Sequence, residues 1–290
     1  MNAIIRITQL LTPLALTALL LPGSVSAQRD YSNVEVTANH IRGSYYYLEG
    51  AGGNIGISIG DDGVVMIDDQ FAPLTDKILA AIRELNDGEI RFVINTHVHG
   101  DHTGGNENLG RMGILILARE EVRERLAEQS PEAALPVLTF NGSMSFHLNG
   151  EEAHIIPVPP AHTDGDSIIY FEDSDVLHAG DMFRTIAFPV IDLNNGGSLD
   201  GTIDALGLVA GLAGPNTRIV PGHGVVSTRE DVIEFRDMVS DVKARVTTLV
   251  ERGLSYNEVA AANPTAAYNA KWGDPERFLR AVYAELGGED

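Results

Sequence analysis

Six consecutive residues constrain this chain more than any other segment, because four of them carry metal-ligating side chains. The segment reads His97-Val98-His99-Gly100-Asp101-His102 and follows an apolar, strand-like stretch at 91–95. His97 and His99 lie two residues apart, so they project to the same side while the chain is extended. Asp101 and His102 follow a glycine, which allows the chain to turn toward a second point. Imidazole and carboxylate groups without a thiolate suit Zn²⁺, Mn²⁺ or Fe²⁺, so the spacing predicts a metal-binding loop at the end of a strand.

The composition removes several classes of protein. The 290 residues include 20 Lys and Arg, 41 Asp and Glu and no cysteine, which gives a formal charge of −21. Because this negative surplus repels a phosphate backbone, nucleic acid is not an expected partner. The lack of cysteine excludes disulfides, thiol catalysis, iron–sulfur clusters and thiolate zinc sites. Hydrophobic residues make up 44% of the chain, which is enough for a substantial core.

Three later residues complete a possible ligand set, and each follows an apolar, strand-like segment. His162 comes after a strand that ends near Val158, and Asp181 comes directly after 176–179. His223 follows 218–220 and lies between two glycines. Loops at strand ends are where α/β folds commonly carry their functional residues, so we expect these side chains near the first cluster.

The first 27 residues have the pattern of a cleavable signal peptide. Arg6 precedes an apolar run over 10–21, and the small residues Val25-Ser26-Ala27 follow. The run is too short to span a bilayer core of ~30 Å, so no stable membrane anchor is expected. The pattern predicts cleavage after Ala27 and a periplasmic or secreted protein.

The remaining chain alternates strand and helix patterns without a linker. Period-two alternation and apolar runs predict strands at 34–37, 41–48, 54–59 and 64–67 and a hairpin of 167–171 with 176–179. Helical spacing predicts amphipathic helices at 74–85 and 228–249. Both halves run from strands to helices, so residues 28–290 are expected to form one α+β domain with two stacked sheets and helices outside.

With these motifs in order, the chain resembles the metallo-β-lactamase superfamily of dinuclear zinc hydrolases over residues 34–224. The resemblance implies a four-layer αββα sandwich with the site at one edge of the paired sheets. It also implies that His97, His99 and His162 bind one Zn²⁺, that Asp101, His102 and His223 bind a second, and that Asp181 bridges both. Asp68, which ends Val65-Met66-Ile67-Asp68, matches the aspartate that supports the metal loop. His178, three residues before Asp181, is interpreted as lying just behind the ligands.

The resemblance also implies a reaction class. Two such ions, with Mn²⁺ or Fe²⁺ as alternatives to zinc, would activate a water molecule for attack on an amide, ester or thioester carbonyl. Asp101 would orient that water. The partner is therefore expected to be a small molecule with a carbonyl group.

The substrate is predicted from positions where family members differ. Asp181 stands where the cysteine-ligand subclass of β-lactamases has its thiolate. An aspartate at this position resembles lactonases and glyoxalase-II-type thioesterases. Arg184 stands where that subclass has a lysine that holds the substrate carboxylate. Asn194 or Asn195 falls near the position where the same subclass has an amide-bearing partner for the oxyanion. Tyr46 lies in the hairpin that corresponds to the flap over the site in that subclass.

Taken together, these features favour β-lactam hydrolysis ahead of lactone or thioester hydrolysis. A non-haem iron oxidoreductase on the same fold and a non-catalytic metal-binding protein are the alternatives from other classes. The oligomeric state is left open.

Overall fold

Seven strands from the first half of the chain form one mixed sheet, ordered β1 to β7. The computed structural model describes residues 29–288. Strands β1 to β4 pair antiparallel and β4 to β7 pair parallel. The strands are Thr37–Arg42 (β1), Tyr45–Glu49 (β2), Ile55–Gly60 (β3), Gly63–Ile67 (β4), Ile90–Ile94 (β5), Leu115–Arg119 (β6) and Leu138–Phe140 (β7).

Five strands from the second half form the other sheet, in the order β12-β11-β10-β9-β8. All neighbours pair antiparallel except β11 and β12, which run parallel. The strands are Met144–Leu148 (β8), Glu151–Pro157 (β9), Ser167–Phe171 (β10), Val176–Arg184 (β11) and Arg218–His223 (β12). The predicted hairpin is present as β10 and β11.

Nine α-helices lie within residues 29–288. Their amphipathic character sets their positions: Ile78, Leu79 and Ile82 on one face of the first long helix are buried. The longest helix begins with a capping box between Thr228 and Asp231, as its sequence predicts. The helices are Thr75–Leu85 (α1), Gly100–Thr103 (α2), Asn106–Arg111 (α3), Glu120–Ala127 (α4), Leu199–Leu212 (α5), Arg229–Val250 (α6), Tyr256–Ala262 (α7), Asn269–Trp272 (α8) and Glu276–Glu285 (α9).

Three apolar cores define four layers. The central core joins side chains of both sheets, such as Val65 and Ile94 from the first and Ile155 and Ile169 from the second. On the outer face of the first sheet a second core includes α1, and on the outer face of the second sheet a third includes α5, α6 and α9. Each sheet has an apolar face on both sides, so helices have to cover the two outer faces. The predicted αββα sandwich is confirmed.

Two predicted strands are wrong in their extent. The strand predicted at 34–37 is present only at Thr37, where β1 begins. The pattern over 41–48 reads as continuous, but the structure divides it at Gly43, whose φ of +54° lies in the left-handed region. The turn lets β1 and β2 pair with each other, with His40 opposite Tyr46.

The compact unit that holds the two sheets begins at Tyr31. The predicted signal peptide at 1–27 lies outside the described residues and stays a prediction. No helix within 29–288 combines the length and apolarity that a membrane crossing requires.

Candidate metal centre

The loop after β5 is held in place by one buried carboxylate. Asp68 follows β4 with a φ of +64° and has no exposed surface. Its two oxygens accept hydrogen bonds from the backbone nitrogen and hydroxyl of Thr96 at 2.7 and 2.8 Å. A third contact, 2.7 Å long, joins Asp68 Oδ2 to Nδ1 of His102. Asp68 therefore fixes both the start of the loop and one of its histidines, which matches its predicted supporting role.

The structure brings all seven predicted ligands together. They form three overlapping groups whose ligand atoms lie within 4.8 Å of one another in each group. The groups are His97 with His99 and His162, His97 with His102 and Asp181, and Asp101 with His102 and His223. A fourth group, Glu152 with His154 and Glu172, lies on strand residues and a turn outside this cluster.

Asp181 lies at the meeting point of these groups. It is carried by β11, and the parallel pairing with β12 brings His223 beside it. Asp181 Oδ1 lies 3.2 Å from His102 Nε2 and 3.3 Å from His223 Nε2, whereas its Oδ2 lies 3.7 Å from His162 Nε2. The carboxylate thus reaches both sides of the cluster, as a bridging ligand must.

Each of four histidines has one ring nitrogen fixed by a partner outside the cluster, as metal-bound histidines usually do. The outer contacts are His97 Nδ1 to Thr96 Oγ1 at 3.0 Å, His99 Nε2 to Asp192 Oδ2 at 2.7 Å, His102 Nδ1 to Asp68 Oδ2 at 2.7 Å and His162 Nδ1 to the Val190 carbonyl at 2.6 Å. The second nitrogen of each ring is left to face the cluster.

These inward atoms fit a cation. Because a carboxylate and a carbonyl can only accept, His99 donates from Nε2 and His162 from Nδ1. In the neutral rings the remaining nitrogens carry lone pairs, and these two nitrogens lie 2.8 Å apart. His97 Nε2 is likewise buried without a hydrogen-bond partner among the described residues. Buried acceptors that face one another are stabilised by a shared cation, so the donor set fits divalent metal ions.

The electrostatics of the cluster also favour bound positive charge. Burial would raise the pKa of Asp181, but the charge and hydrogen bond of His102 outweigh it and hold that pKa well below its usual value. Burial likewise opposes the charged form of His223, yet hydrogen bonds to Asp101 and Asp181 raise its pKa to about 9. Burial lowers the pKa of His162 to about 4, which keeps this ring in the neutral form that binds metal.

The cluster opens into a cavity of about 470 Å³. Asp101, His162, Asp181 and His223 line it, so the inward faces of the ligands are accessible to a small molecule. Arg184, the predicted substrate contact, also lines this cavity.

Three other predicted substrate contacts lie elsewhere. Tyr46 does not line the cavity: strand alternation directs it to the outer face of the first sheet, where its ring lies 4.6 Å from that of His40. Asn195 is already engaged, since its amide donates to Asp192 at 2.8 Å and its oxygen accepts from Arg125 at 3.1 Å. Asn194 has an exposed side chain and only its backbone nitrogen contacts Asp192. None of the three lines the cavity, so the structure does not bring them together with the cluster as predicted.

His178 lies near Asp68, the carboxylate that supports the metal loop. It is fully buried, with Nε2 4.0 Å from Asp68 Oδ2 and Nδ1 3.1 Å from the hydroxyl of Tyr45. It therefore contacts the support of the metal loop and not a ligand.

Two residues of the site were missed by the sequence analysis. Asp192 holds His99, and Arg277 of α9 lines the cavity with Arg184. The only sequence signal for Asp192 is its position before Asn194 and Asn195, where an aspartate commonly caps a turn. Arg277 carries no local signal, because only the packing of α9 brings it to the cavity.

The fold and this donor set define a metal-binding protein with its site at the edge of an αββα sandwich. Residues 49–223 match the family model described as the metallo-beta-lactamase superfamily. The chain therefore belongs to that superfamily, whose members are mostly metal-dependent hydrolases and typically bind divalent metals.

Solved structures show the same fold at low sequence identity. A metallo-beta-lactamase from Pontibacter korlensis is 17% identical with a TM-score of 0.64, over 71% of this chain and 100% of that one. An inverting sec-alkylsulfatase from a Pseudomonas species is 18% identical with a TM-score of 0.71, over 88% of this chain and 51% of that one.

Curated relatives match shorter stretches. Hydroxyacylglutathione hydrolase of Methylococcus capsulatus is 34% identical over 90 residues, which cover 31% of this chain and 32% of that protein. The alpha subunit of 2,4-dinitroanisole O-demethylase from a Nocardioides species is 28% identical over 130 residues, which cover 43% and 40%. This chain thus matches two fifths or less of the length of these relatives.

Proposed function

We propose that this protein is a metal-dependent hydrolase that opens a carbonyl bond in a small carboxylate-bearing molecule, with β-lactams as the first substrate class. The observation that carries the proposal is the convergence of three donor groups on one cavity that also holds Arg184. Hydrolysis of lactones or thioesters is the alternative within the same reaction class.

The metals are proposed as two Zn²⁺ ions. His97, His99 and His162 would hold one, Asp101, His102 and His223 the other, and Asp181 would contact both. Mn²⁺ and Fe²⁺ suit the same nitrogen and oxygen donors. When bound, such ions supply Lewis-acid activation of water and of the scissile carbonyl.

Asp101 is the residue proposed to position the attacking water. It lines the cavity, and it is only partly buried, whereas Asp68 and Asp181 are buried. Burial would raise its pKa, but the hydrogen bond to His223 and the charge of His102 lower the pKa to about 2. Asp101 is therefore ionised at neutral pH and can accept a hydrogen bond from water at the mouth of the cluster.

Arg184 is proposed to bind the substrate carboxylate. Its side chain makes no ion pair or hydrogen bond with any residue of 29–288, and its buried Nε lacks a partner. A guanidinium binds a carboxylate through two parallel hydrogen bonds, so Arg184 can orient the substrate beside Asp101. β-Lactams carry such a carboxylate, and acyl-homoserine lactones do not.

Three substrates separate the alternatives. The zinc-loaded protein is assayed with nitrocefin, an acyl-homoserine lactone and S-lactoylglutathione, with Asp101→Ala as the inactive control. We expect nitrocefin turnover that falls at least about 100-fold in the variant, since general acid–base groups contribute that much. Turnover of the lactone or the thioester alone would reject the β-lactam proposal and keep the hydrolase. A rate unchanged by Asp101→Ala would favour a non-catalytic protein.

An oxidoreductase is the second candidate, because the thiolate-free donor set also suits iron. A coenzyme F420H2 oxidase of Methanothermobacter thermautotrophicus is 27% identical over 146 residues. Metal analysis of protein purified from its own host decides between them: zinc supports the hydrolase, and iron with a visible absorption band supports the oxidoreductase.

Export is proposed from the pattern of residues 1–27. N-terminal sequencing of protein from the periplasm or medium should begin at Gln28. Recovery of the uncleaved chain in the cytoplasm would overturn this proposal.

A further inference from the structure

The wall of the cavity beside the donor cluster carries positive side chains that do not belong to the ligand set. Two arginines line it, Arg184 at the end of β11 and Arg277 in the first turn of α9. They come from parts of the chain about ninety residues apart, and Arg277 lies beyond residue 223, where the family match ends. The last helix therefore contributes to the wall of the cavity.

Neither arginine has a carboxylate partner among residues 29–288. Seven of the sixteen arginines within residues 29–288 form an ion pair, so it is the shared position of Arg184 and Arg277 on the cavity wall that distinguishes these two. The neighbouring Arg280, in the same helix, pairs with Glu276 at 3.2 Å, so that carboxylate is engaged one turn away. Arg277 is thus left exposed to the cavity with its hydrogen-bonding capacity unused.

The position of Arg277 in its helix also disfavours a purely structural role. It is the second residue of α9, and a positive side chain in the first turn opposes the helix dipole by roughly 0.3–1 kcal/mol. The backbone nitrogen of Glu276 at this helix end already donates to Asp274 Oδ1 at 2.9 Å, so an anion bound at this point would be stabilised by the guanidinium.

We infer that Arg277 is a specificity-determining residue that, together with Arg184, selects substrates bearing an oxyanion away from the scissile bond. The inference rests on the proposed function and deepens it. Carboxylate and sulfo groups share the required charge and acceptor geometry. Arg277 contributes binding energy that is the same in the ground state and the transition state, because it lies on the wall and is not a member of the ligand set.

The kinetic test uses Arg277→Gln with Arg252→Gln as the matched control. Both remove one exposed arginine from the C-terminal region, but Arg252 does not line the cavity. For the best anionic substrate we expect Arg277→Gln to raise KM about 5- to 20-fold with kcat within about twofold, as for a lost uniform contact. The neutral methyl ester of that substrate should be unaffected, and Arg277→Lys should restore part of the loss.

A binding measurement separates this inference from the proposed function. Isothermal titration calorimetry on the metal-loaded protein compares benzoate, benzenesulfonate and neutral benzamide. We expect the anions to bind and Arg277→Gln to weaken them by a similar factor, with benzamide unchanged; a preference between the two anions identifies the oxyanion type. Arg277-dependent anion binding without turnover of any substrate would overturn the proposed function alone. If Arg277→Gln leaves both turnover and anion binding unchanged, this inference alone is overturned.

Discussion

His99 donates a hydrogen bond from Nε2 to the carboxylate of Asp192 across 2.7 Å. The contact joins the loop after β5 in the first sheet to the 192–197 turn that follows β11 in the second. Asp192 is itself held by the Asn195 side chain and by the backbone nitrogens of Asn194 and Asn195. Its pKa is lowered to about 2, because these hydrogen bonds and that of His99 outweigh the effect of partial burial. The orientation of one ligand thus depends on a turn from the other half of the chain.

Removing this carboxylate should weaken metal binding without unfolding the protein. We expect Asp192→Ala to raise the dissociation constant for Zn²⁺ by about 10- to 100-fold, the usual effect of losing the outer partner of a ligating histidine. Competition with a fluorescent chelator measures it. Asn194→Ala, which alters an exposed neighbouring side chain, should leave the constant unchanged. Equal affinity in both variants would show that Asp192 does not orient His99.

Gly222 leaves no room for a side chain next to the bridging position. A Cβ at this residue would lie 1.9 Å from Asp181 Oδ1 and 2.7 Å from the backbone carbon of Gly180. We therefore expect Gly222→Ala to displace Asp181 and to lower bound zinc, measured by mass spectrometry of the metals. Gly211→Ala is the control, because a Cβ there meets no atom within 4 Å and should stabilise α5 by about 0.5–1 kcal/mol. Full metal content in Gly222→Ala would contradict the expectation.

Metal removal should lower the melting temperature. A ligand at about 100 times its dissociation constant stabilises the folded state by about 2.7 kcal/mol, which corresponds to roughly 5–10 °C for a domain of this size. Differential scanning calorimetry with and without a chelator tests this. The chelator should have a much smaller effect on Asp181→Ala, in which the residue shared by both sides of the cluster is gone. An identical shift in that variant would mean that the stabilising metal binds elsewhere.

The stability of the metal-free protein should depend on the protonation of Asp166. Burial raises the pKa of Asp166 to about 7, although hydrogen bonds from Thr163 oppose the rise. Its unfolded pKa is 3.8, so between about pH 4 and 7 the folded state holds a proton that the unfolded state lacks. This contribution is complete below the unfolded pKa and is lost as pH rises through 7, by at most about 1.4 kcal/mol per pH unit.

Asp166→Asn keeps a neutral side chain at every pH and isolates the effect. Urea denaturation with a chelator present should show the parent losing stability relative to the variant between pH 5 and pH 8. A difference that stays constant over this range would mean that Asp166 is ionised throughout.

The clustering of the seven proposed ligands could be predicted from the sequence because their signals are local. The spacing from His97 to His102 and the strand-end positions of His162, Asp181 and His223 already specify where the donors emerge. The layered arrangement followed from alternating strand patterns and amphipathic helices. The family match and the solved structures agree with the layered arrangement.

The walls of the cavity could not be predicted in the same way. Strand alternation places Tyr45 and Tyr47 on one face of β2 and Tyr46 on the other, but it does not show which face meets a cavity. In the structure, Tyr46 packs against the core on the outer face of the first sheet. Arg277 reaches the cavity only through the packing of α9 against α6 and α7. Such contacts depend on the relative positions of distant elements, which no short pattern encodes.

Within residues 29–288 the chain passes from the first sheet to the second only once, between β7 and β8 at residues 141–143. Four of the donors precede this crossing and three follow it, the last of them at residue 223. The first half, which leaves the ribosome or the export channel first, therefore emerges with an incomplete set of donors. Complete ligation has to wait until His223 has emerged and β12 has paired with β11, so the donor set is complete only after most of the chain has emerged.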